Sequence, residues 1–524
     1  MQSSNVFSLK FPRNPHTTLS SCIHSNINGA SFSSSFLIRI AFSPKIINSI
    51  NYILHLLVCY AIEHRQAQLG STDFLCNWQF ALLDTKVCIT LLHVHRDRVM
   101  FVRSNALLIQ ILFKFISALA ANSKNVPDRF RFRDNIWQNH FFIVDAIQGG
   151  AGTSANMNMN EVIANRSGEI LGCPKGSYKM VHPNDHVNMA QSTNDVIPTA
   201  GKLTVLDLLA PLEKALLRLE KELSKKAAEF DDVITMGRTQ LQDAVPIRLG
   251  QEFQAYSDAI MRDIHRMDKA MDEMRTVNMG GTAVGTGINA DEAYVSRIVP
   301  NLSKISDIQF VQAFDLIDAT QNLDPFVAVS GAVKACAVTL SKIANDLRLM
   351  SSGPRAGFGE INLPAKQNGS SIMPGKVNPV IPEVVNQVAF NIIGNDVTIT
   401  MAAEGGQLEL NAFEPIVFYC LFQSIDTLAY AVQTFVDNCV TGITANEERC
   451  RQLVENSIGV ITAICPHVGY EKAAEIAKKA MKTGESIRNL ILREGLLSEK
   501  EMETVLDPVN MTEPGISGKE LLRK

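Results

Sequence analysis

Tryptophan and charge are both scarce in this sequence, which has 2 Trp residues and 19% charged residues in a chain of 524. No stretch alternates basic with aromatic residues, and the net charge is only −4. Proteins that bind nucleic acids usually carry a basic surface or aromatic platforms for the bases. The sequence therefore predicts no nucleic-acid partner, and its length and 46% hydrophobic content predict a soluble globular protein of about two to four domains.

Closely spaced cysteine pairs are also missing. The 10 cysteines include no Cys-x-x-Cys pair, which is the spacing that zinc sites and many disulfide frameworks use. We expect the cysteines to be reduced and mostly buried, because free cysteine is among the most buried residue types. No other cluster with the spacing of metal ligands is evident, so the sequence predicts no metal site.

Acidic residues are absent before Glu63, and residues 1–137 contain 14 Lys and Arg against 6 Asp and Glu. This composition is typical of an organelle transit peptide, although a disordered or misassigned start would look the same. The apolar run Ile46–Ile62 includes Asn and His and is shorter than the roughly 20 residues that a membrane span needs. We therefore expect no membrane span and a cytoplasmic protein, with import into an organelle left open.

Strand-like alternation is missing after Gln138, where apolar residues instead recur every three or four positions. That spacing predicts long packed helices and an all-α protein. The stretch 384–440 is apolar on nearly all sides, which predicts a helix at the centre of an oligomeric bundle. The expected parts are an atypical segment 1–137, a remnant of an N-terminal domain 138–192, a central helical bundle 193–447 with the catalytic loop, and a small C-terminal helical domain 448–524.

Four polar segments that are rich in small residues interrupt the helical pattern. They are 148–156, 182–195, 237–243 and 369–379. Hydroxyl, amide and backbone N–H groups near helix starts suit the binding of carboxylates. The same residue types also cap helices and form turns, but four such segments in one chain favour a binding site for an anion.

The last of these segments reads GSSIMPGKVNP. Its glycines allow it to close over a ligand, and Lys376 supplies a cation that favours a deprotonated hydroxyl group nearby. A serine among N–H donors and beside a lysine can act as a general base. The alternative is a solvated surface loop, for which Ile372, Met373 and Val377 would be poor choices.

GSSIMPGKVNP resembles the signature GSSxMPxKxNP of the aspartase/fumarase superfamily of lyases. Three further segments, GAGTSANMNMNEV, QSTND and GRTQLQDAVP, resemble other segments of that superfamily and occur in the same order. The resemblance covers residues 144–524, whereas residues 1–137 do not resemble the superfamily's N-terminal domain. It implies an all-α fold of three domains, in which long central helices from four subunits form one core and each active site draws on three chains.

The resemblance also implies roles for individual residues. A serine at the position of Ser370 removes a proton from the carbon beside a carboxylate, and the carbanion is held as an aci-carboxylate. The donors implied for this dianion are Thr153, Ser192, Thr193 and Ser371. The residues implied for the rest of the substrate are Lys376, Asn378 and Thr239 at the other carboxylate, Asn194 at the amino group, and Gln240 beside Thr239. A second anion site near the entrance is implied for His182, Asn184 and Asp185.

Two positions favour aspartate over malate as the substrate. Fumarases generally have Thr-His where this chain has Thr239-Gln240, and they usually read QSSND where it reads QSTND. The resemblance thus favours an ammonia-lyase that converts L-aspartate to fumarate, as a homotetramer without an organic cofactor and with activation by a divalent cation left open. A fumarase and a non-catalytic oligomeric relative remain alternatives. A nucleotide-binding oxidoreductase is disfavoured, because the G-x-G-x-x-A match at Gly285–Ala290 has no strand before it.

Overall fold

The computed structural model describes residues 143–522. The predictions for residues 1–137, including the transit-like start and the short apolar run, concern residues outside this range. The described chain begins with a long helix, a π-helical turn, a second long helix and a β-hairpin. These elements are α1 (Thr153–Ile170), the π-helical turn Pro183–Val187, α2 (Thr193–Glu229), β1 (Ile234–Thr239) and β2 (Gln242–Arg248).

The remaining helices of the bundle follow, with four very short strands between them. They are α3 (Leu249–Met274), β3 (Thr276–Val277), α4 (Glu292–Ser306), β4 (Val311–Gln312), α5 (Asp318–Gln321), α6 (Asp324–Met350), β5 (Ile361–Asn362), α7 (Val380–Glu404), α8 (Glu414–Asn438), the 3-10 turn Val440–Gly442 and β6 (Thr444–Ala445). The strand pairs are β1 with β2 and β5 with β6, both antiparallel, and β3 with β4, which is parallel. The predicted all-α class and long-helix bundle are confirmed.

The apolar spacing noted in the sequence lines the core of this bundle. Along α2 the side chains that recur every three or four positions are all at most 1% exposed, and they are Val205, Leu209, Leu212, Leu216, Leu219 and Leu223. They pack against α3 and α8, while α6 packs against α3 and α7. Burial of apolar side chains along one stripe of each helix is the main source of stability for such a bundle.

The apolar stretch 384–440 forms two helices with different surroundings, where the sequence predicted one. α8 is buried within the chain's own bundle, whereas α7 leaves an apolar stripe exposed. The exposed side chains of this stripe are Phe390, Ile393, Val397 and Met401. Their spacing places them on one side of α7, so the stripe is a single surface rather than scattered residues.

Two helices of the described residues, α6 and the segment Glu414–Gly442, are long and apolar enough to cross a membrane by length and composition alone. In each, more than half of the most apolar window is buried inside the bundle, at 56% and 67%. The core helices of a soluble protein pass the same test. Their packing within the bundle therefore accounts for their composition.

A second, smaller core lies in the C-terminal part. It is formed by short helices and turns: α9 (Glu447–Asn456), Ile458–Val460, α10 (Ile461–Val468), α11 (Tyr470–Thr483), α12 (Ile487–Arg493), α13 (Glu499–Val505), α14 (Pro508–Met511) and Lys519–Leu521. Its apolar cluster begins at Val454 and includes one residue from far upstream, Met236 of β1. The hairpin is thus shared between the bundle and the C-terminal core.

The six cysteines in the described part of the chain are all unpaired, and four of them are buried. This agrees with the expectation of reduced and mostly buried thiols for these six. Burial raises the pKa of the thiol at Cys439 to about 12 and at Cys450 to about 11. Such thiols are poor nucleophiles.

The two ends of α2 lie far apart, and they define two ends of the bundle. With 37 residues, α2 spans about 55 Å at about 1.5 Å per residue. We call the end with the starts of α1, α2 and α8 the cap end, where Phe418 lies against Gly201. We call the other the hairpin end, where the Lys226 ammonium donates to the carbonyl of Ile443 at 2.7 Å.

Candidate active site

Ser192 and Asp195 form a reciprocal cap at the start of α2. The hydroxyl oxygen of Ser192 accepts from the backbone N–H of Asn194 at 3.2 Å, and the Ser192 N–H donates to the Asp195 carboxylate at 3.0 Å. Such a capping box satisfies helix N–H groups that otherwise lack partners. The positive end of the α2 dipole therefore lies beside the hydroxyl groups of Ser192 and Thr193.

The start of α1 meets the start of α2 at the same place. The side-chain amide of Asn156 donates to the Thr193 hydroxyl at 2.9 Å, and Gly152 lies so close to Ile197 that an added Cβ would be 3.1 Å from it. The exposed Thr153 hydroxyl donates to the carbonyl of Gly150 at 2.7 Å. The structure thus brings together the first two polar segments, as one group of hydroxyls at two helix starts.

The side chain of Asn194 is fixed by a loop from elsewhere in the chain. Its amide nitrogen donates to the carbonyl of Ala283 at 2.7 Å, and Asn278 donates to its backbone carbonyl at 3.0 Å. Because the amide nitrogen is engaged, the side-chain oxygen is the atom left to accept a hydrogen bond from a ligand. The loop that supplies Ala283 contains the G-x-G-x-x-A match and runs from strand β3 to α4, so the expectation that no strand precedes this match was wrong. β3 and β4 have only two residues each and pair with each other alone, which is not the extended parallel sheet of a nucleotide-binding unit.

Asp195 ties this loop to the helix start as well. Its second carboxylate oxygen accepts from the N–H groups of Gly280 at 3.3 Å and Thr282 at 3.0 Å. Asp195 is fully buried, so these bonds are protected from competition with water. In the sequence Asp195 stands out only as the last residue of QSTND, and no local pattern predicts that it holds two segments together.

The His182 segment forms the π-helical turn beside α1. The Nδ1 atom of His182 accepts from the N–H groups of Asn184 at 3.3 Å and Asp185 at 3.2 Å. The ring proton therefore belongs on Nε2, and the 3.3 Å approach of the Asp185 carboxylate to Nδ1 is not an ion pair in this tautomer. Asn184 and Asp185 are exposed, so their assignment to a second anion site stays a prediction.

Thr239 and Gln240 lie at the tip of the β1–β2 hairpin, at the other end of the molecule. Gln240 and Leu241 both have positive φ, at 54° and 62°, as the tight turn of a two-residue hairpin requires. All three residues are exposed. The sequence predicted no strands after Gln138, and this prediction was wrong here. The polar segment 237–243 forms the end of β1, a turn and the start of β2, and it is not a helix start.

The loop 369–379 is closed at its neck. The N–H of Gly369 donates to the carbonyl of Lys376 at 2.8 Å, and the side-chain amide of Asn378 donates to the carbonyl of Gly369 at 2.9 Å. An added Cβ at Gly369 would be 2.3 Å from the Lys376 carbonyl oxygen, so only glycine fits. Part of Asn378 is thus committed to the loop itself, which leaves its amide oxygen for a ligand.

Ser370 sits inside this loop as the sequence led us to expect. Its hydroxyl oxygen accepts from the N–H groups of Ile372 and Met373, each at 3.2 Å. Two N–H donors on one hydroxyl oxygen stabilise its deprotonated form. The chain alone does not cover the loop, however: Ile372 is 84% exposed and Met373 48% exposed.

The predicted site residues therefore fall into two groups at opposite ends of α2. The cap end holds Thr153, Ser192, Thr193, Asn194 and the His182 segment, and the hairpin end holds Thr239, Gln240, Ser370, Ser371, Lys376 and Asn378. No small ligand can touch both groups across about 55 Å within one chain. Within residues 143–522 no group of three or more His, Cys, Asp or Glu side chains is placed to hold a metal ion.

Comparison with known proteins relates the chain to one family. A lyase family model matches residues 116–394, and a model of the fumarase C C-terminus matches residues 460–513. The first match begins at residue 116, before the expected start of the resemblance near residue 144. An aspartate ammonia-lyase of Bacillus subtilis is 57% identical over 73% of this chain and 81% of its own length.

Two solved structures share the fold over 90% of this chain and 91% of their own. A fumarate lyase:delta crystallin from Brucella melitensis bound to cobalt has a TM-score of 0.72 and 43% identity. A class II fumarase from Schistosoma mansoni has a TM-score of 0.71 and 29% identity.

Proposed function

The chain belongs to the aspartase/fumarase superfamily of lyases, and we propose that it converts L-aspartate reversibly to fumarate and ammonia. The observation that carries the proposal is the 57% identity to an aspartate ammonia-lyase along 81% of that enzyme. The fumarase noted above is 29% identical. The residues Thr239-Gln240 and Thr193 favour the same substrate.

The reaction requires removal of a proton from the carbon beside one carboxylate of aspartate. The electron pair of that C–H bond first resides on the carboxylate as an aci-carboxylate, and it then forms the C=C bond while the C–N bond breaks. Ammonia leaves with the pair of the C–N bond. Because the C–H bond is very weakly acidic, the enzyme must aim hydrogen-bond donors at the carboxylate on which charge develops.

Ser370 is the proposed base. Its two N–H donors lower the cost of carrying a negative charge on the oxygen, and the loop can bring Lys376 close to the same region. Ser371 neighbours it and is the donor of this loop to the aci-carboxylate. Lys376, the oxygen of Asn378 and Thr239 then hold the other carboxylate.

The cap end supplies the remaining groups. Thr153, Ser192 and Thr193 present hydroxyl groups at two helix starts, where the helix dipoles favour a dianion. The free side-chain oxygen of Asn194 suits the ammonium group of aspartate, which only donates hydrogen bonds. These groups suit a ligand that has a carboxylate at one end and a hydrogen-bond donor, such as an ammonium group, next to it.

The two groups lie at opposite ends of α2, so we infer that a complete site combines copies of the chain. The exposed apolar stripe on α7 supports this inference, since a monomer rarely leaves such a surface open. Pairing of antiparallel copies brings the cap end of one beside the hairpin end of another. We propose a homotetramer on this basis, in which the exposed Ile372, Met373 and Val377 are covered by a neighbouring copy.

We infer that the reaction uses no organic cofactor, since the residues above supply a base, donors and anchors. Activation by a divalent cation stays a prediction. Addition of a chelator should leave kcat unchanged if the cation has no role in the chemistry, and a loss of all activity would contradict the scheme.

The decisive experiment follows fumarate absorbance with L-aspartate and, separately, with L-malate. We expect turnover of aspartate and none of malate, whereas turnover of malate alone would identify a fumarase. Removal of a general base typically costs about 10²–10⁴-fold, so Ser370→Ala should lower kcat by about a thousandfold with an unchanged circular dichroism spectrum. An active Ser370→Ala variant would eliminate Ser370 as the base.

A mixing experiment tests the shared site. Ser370→Ala changes the hairpin end, and Thr153→Val changes the cap end while keeping the shape of the side chain. Hybrid tetramers of the two variants should recover part of the wild-type activity. In some of their sites, one copy supplies an unchanged cap end and another copy supplies an unchanged hairpin end. If hybrids stay as inactive as the parents, the site does not combine chains.

A further inference from the structure

The C-terminal core contributes none of the predicted site residues, since all of them lie at or before Asn378. It nevertheless contacts the β1–β2 hairpin, whose exposed tip carries Thr239 and Gln240. Two-stranded hairpins are only marginally stable alone. The position of the tip must therefore be set by what the two strands contact.

The strand β1 is held by the bundle. The Nη1 atom of Arg238 lies 3.0 Å from each carboxylate oxygen of Glu360, which is 1% exposed, and the Thr235 hydroxyl donates to the same carboxylate. Residues three apart on a regular strand face opposite sides. The register shifts between Met236 and Arg238, and this bulge lets Thr235 and Arg238 reach one carboxylate. β1 is thus fixed to the bundle up to the residue before Thr239.

The strand β2 is held by the C-terminal core, at the turn Ile458–Val460. An added Cβ at Gly459 would be 2.3 Å from the carbonyl oxygen of Ala244 and 3.3 Å from the sulfur of Met236. The turn therefore lies directly against the backbone of β2, and only glycine fits at this position. Met236 itself is 1% exposed and belongs to the apolar cluster of the C-terminal core.

A single hydroxyl group extends this contact toward the tip. The Ser457 hydroxyl donates to the Asp243 carboxylate at 2.7 Å and accepts from the N–H of Gly459 at 3.0 Å. Ser457 is 5% exposed, so water competes little on its side of the bond. A hydrogen bond to a carboxylate is also stronger than one between neutral groups. Ser457 thus joins the C-terminal turn to the start of β2.

The two anchored residues face each other across the hairpin. Arg238 pairs with Asp243, and the next pair, Thr239 with Gln242, is the last one before the turn. Arg238 is anchored to the bundle, whereas Asp243 is anchored to the C-terminal core. Two anchors on opposite strands fix the direction in which the tip extends, because loss of either one lets the hairpin turn about the other.

We propose that Ser457 is a positioning residue, through which the C-terminal core sets the orientation of Thr239 toward a substrate carboxylate. The substrate rests on the proposed function, whereas the link between Ser457 and the hairpin does not. The proposal concerns the hairpin of one copy alone, so it holds whichever copy supplies the loop 369–379 to the same site.

The chain offers a matched control for Ser457→Ala in Ser486→Ala. Ser457 caps the turn Ile458–Val460, and Ser486 caps α12 in the same C-terminal part by accepting from the N–H of Asn489 at 3.3 Å. Each variant loses one capping hydroxyl group. The two variants should therefore show a similar, small fall in melting temperature.

With L-aspartate as the substrate, Ser457→Ala should raise KM about fivefold and leave kcat within about twofold of wild type. The reason is that Thr239 holds the carboxylate that does not react, and loss of such uniform binding changes KM alone. Ser486→Ala should leave both constants within about twofold of wild type. An unchanged KM in Ser457→Ala, or an equal rise in Ser486→Ala, would overturn the proposal.

Variants of Asp243 identify the bond through which Ser457 acts. Asp243→Asn keeps an acceptor oxygen for the Ser457 hydroxyl, so KM should stay within about twofold of wild type. Asp243→Ala removes the acceptor and should raise KM as much as Ser457→Ala does. The double variant should be no worse than either single one, because both changes break the same bond. Effects on KM that multiply in the double variant would contradict this role of Ser457.

Hydrogen–deuterium exchange tests the link without any turnover. Exchange at residues 238–243 should rise in Ser457→Ala and stay at the wild-type level in Ser486→Ala. A wild type that is inactive on L-aspartate would defeat the proposed function and leave this test intact. Unchanged exchange at the tip in Ser457→Ala would defeat the role of Ser457.

Discussion

The two ends of the bundle hold their site residues in different ways. At the cap end, Ser192 and Asp195 cap a helix, Asn156 bonds to Thr193, and a distant loop fixes Asn194. At the hairpin end, the loop 369–379 is closed by its own neck, and the side chains at its tip are exposed. The site residues of the cap end are thus fixed by contacts within the chain. The tip of the loop at the hairpin end has no such cover from the described part of the same chain.

This difference separates two tasks of a lyase site. The hydroxyl groups that receive charge must be preorganised, since donors already in place cost no reorganisation during the reaction. The base must reach the substrate after it has bound, which suits a loop that can move. In the shared site that we propose, a preorganised cap end and a loop that can move fulfil these tasks in different copies of the chain.

Gly369→Ala should have the largest effect among changes outside the reacting groups. Its Cβ would come within 2.3 Å of the Lys376 carbonyl oxygen, so the neck opens and Ser370 is displaced. A displacement of about 1 Å costs about a hundredfold, and we expect kcat/KM to fall by that amount while the melting temperature barely changes. Steady-state kinetics and calorimetry measure both.

Gly331→Ala is the control for this change. Gly331 lies within α6 with no atom near the position of an added Cβ, and alanine favours helices over glycine. Activity should stay at the wild-type level and stability should rise slightly. If Gly369→Ala behaves like Gly331→Ala, the neck does not control the loop, and the two ends of the bundle do not differ in how they hold their site residues.

The sequence predicts the cap end better than the hairpin end, for a physical reason. Helix starts carry local signals, such as Ser192 followed three positions later by Asp195, and the apolar spacing of α2 repeats over many turns. The hairpin has short strands, and its bulge leaves Thr235 and Met236 buried side by side, which hides the alternation of a strand. Resemblance to the superfamily identified Thr239 and Gln240 where periodicity could not.

Long-range pairing explains the remaining differences. Nothing local marks Glu360 as the partner of Arg238, since 122 positions separate them. Likewise, the sequence predicted that Ile372 and Met373 would be covered, whereas both are exposed in the single chain. Our proposal assigns their cover to another copy, and a sequence does not say which copy supplies a contact. The sequence therefore shows the order of the motifs along the chain, but it does not predict which motifs lie at which end of α2.

Asp195→Asn should weaken the cap end by an intermediate amount. The new amide group would face the N–H donors of Ser192, Gly280 or Thr282, so at least one buried donor loses its acceptor. This costs about 1–3 kcal/mol in the free energy of unfolding, and KM should rise several-fold as Asn194 loses its support. Urea denaturation and steady-state kinetics measure the two effects.

Asp291→Asn provides the comparison for this change. Asp291 is exposed and caps α4 through the N–H of Ala293 at 2.8 Å, and asparagine is an equally good cap. Stability and KM should both stay close to wild type. Equal losses in the two variants would mean that Asp195 acts as an ordinary cap without a link to Asn194.

The smallest effect concerns the interior of the cap end, where Glu414 is buried at the start of α8 and its carboxylate oxygens have no hydrogen-bond partner in the described structure. Burial raises the pKa of Glu414 well above its usual value, although Lys202 opposes the shift. The folded protein thus keeps this proton at a pH where the unfolded chain has lost it. Stability is therefore complete below the ordinary pKa of glutamate and decreases as pH rises toward the folded value.

Glu414→Gln removes this titration, so its melting temperature should match wild type near pH 4.5 and exceed it increasingly toward neutral pH. Burial also lowers the pKa of Lys202 to about 8, which would raise stability only above that value, so measurements below pH 7 isolate Glu414. Calorimetry of both proteins across this interval measures the difference. Parallel pH profiles would mean that water reaches Glu414, and the cap end would then be no drier than the exposed loop at the other end.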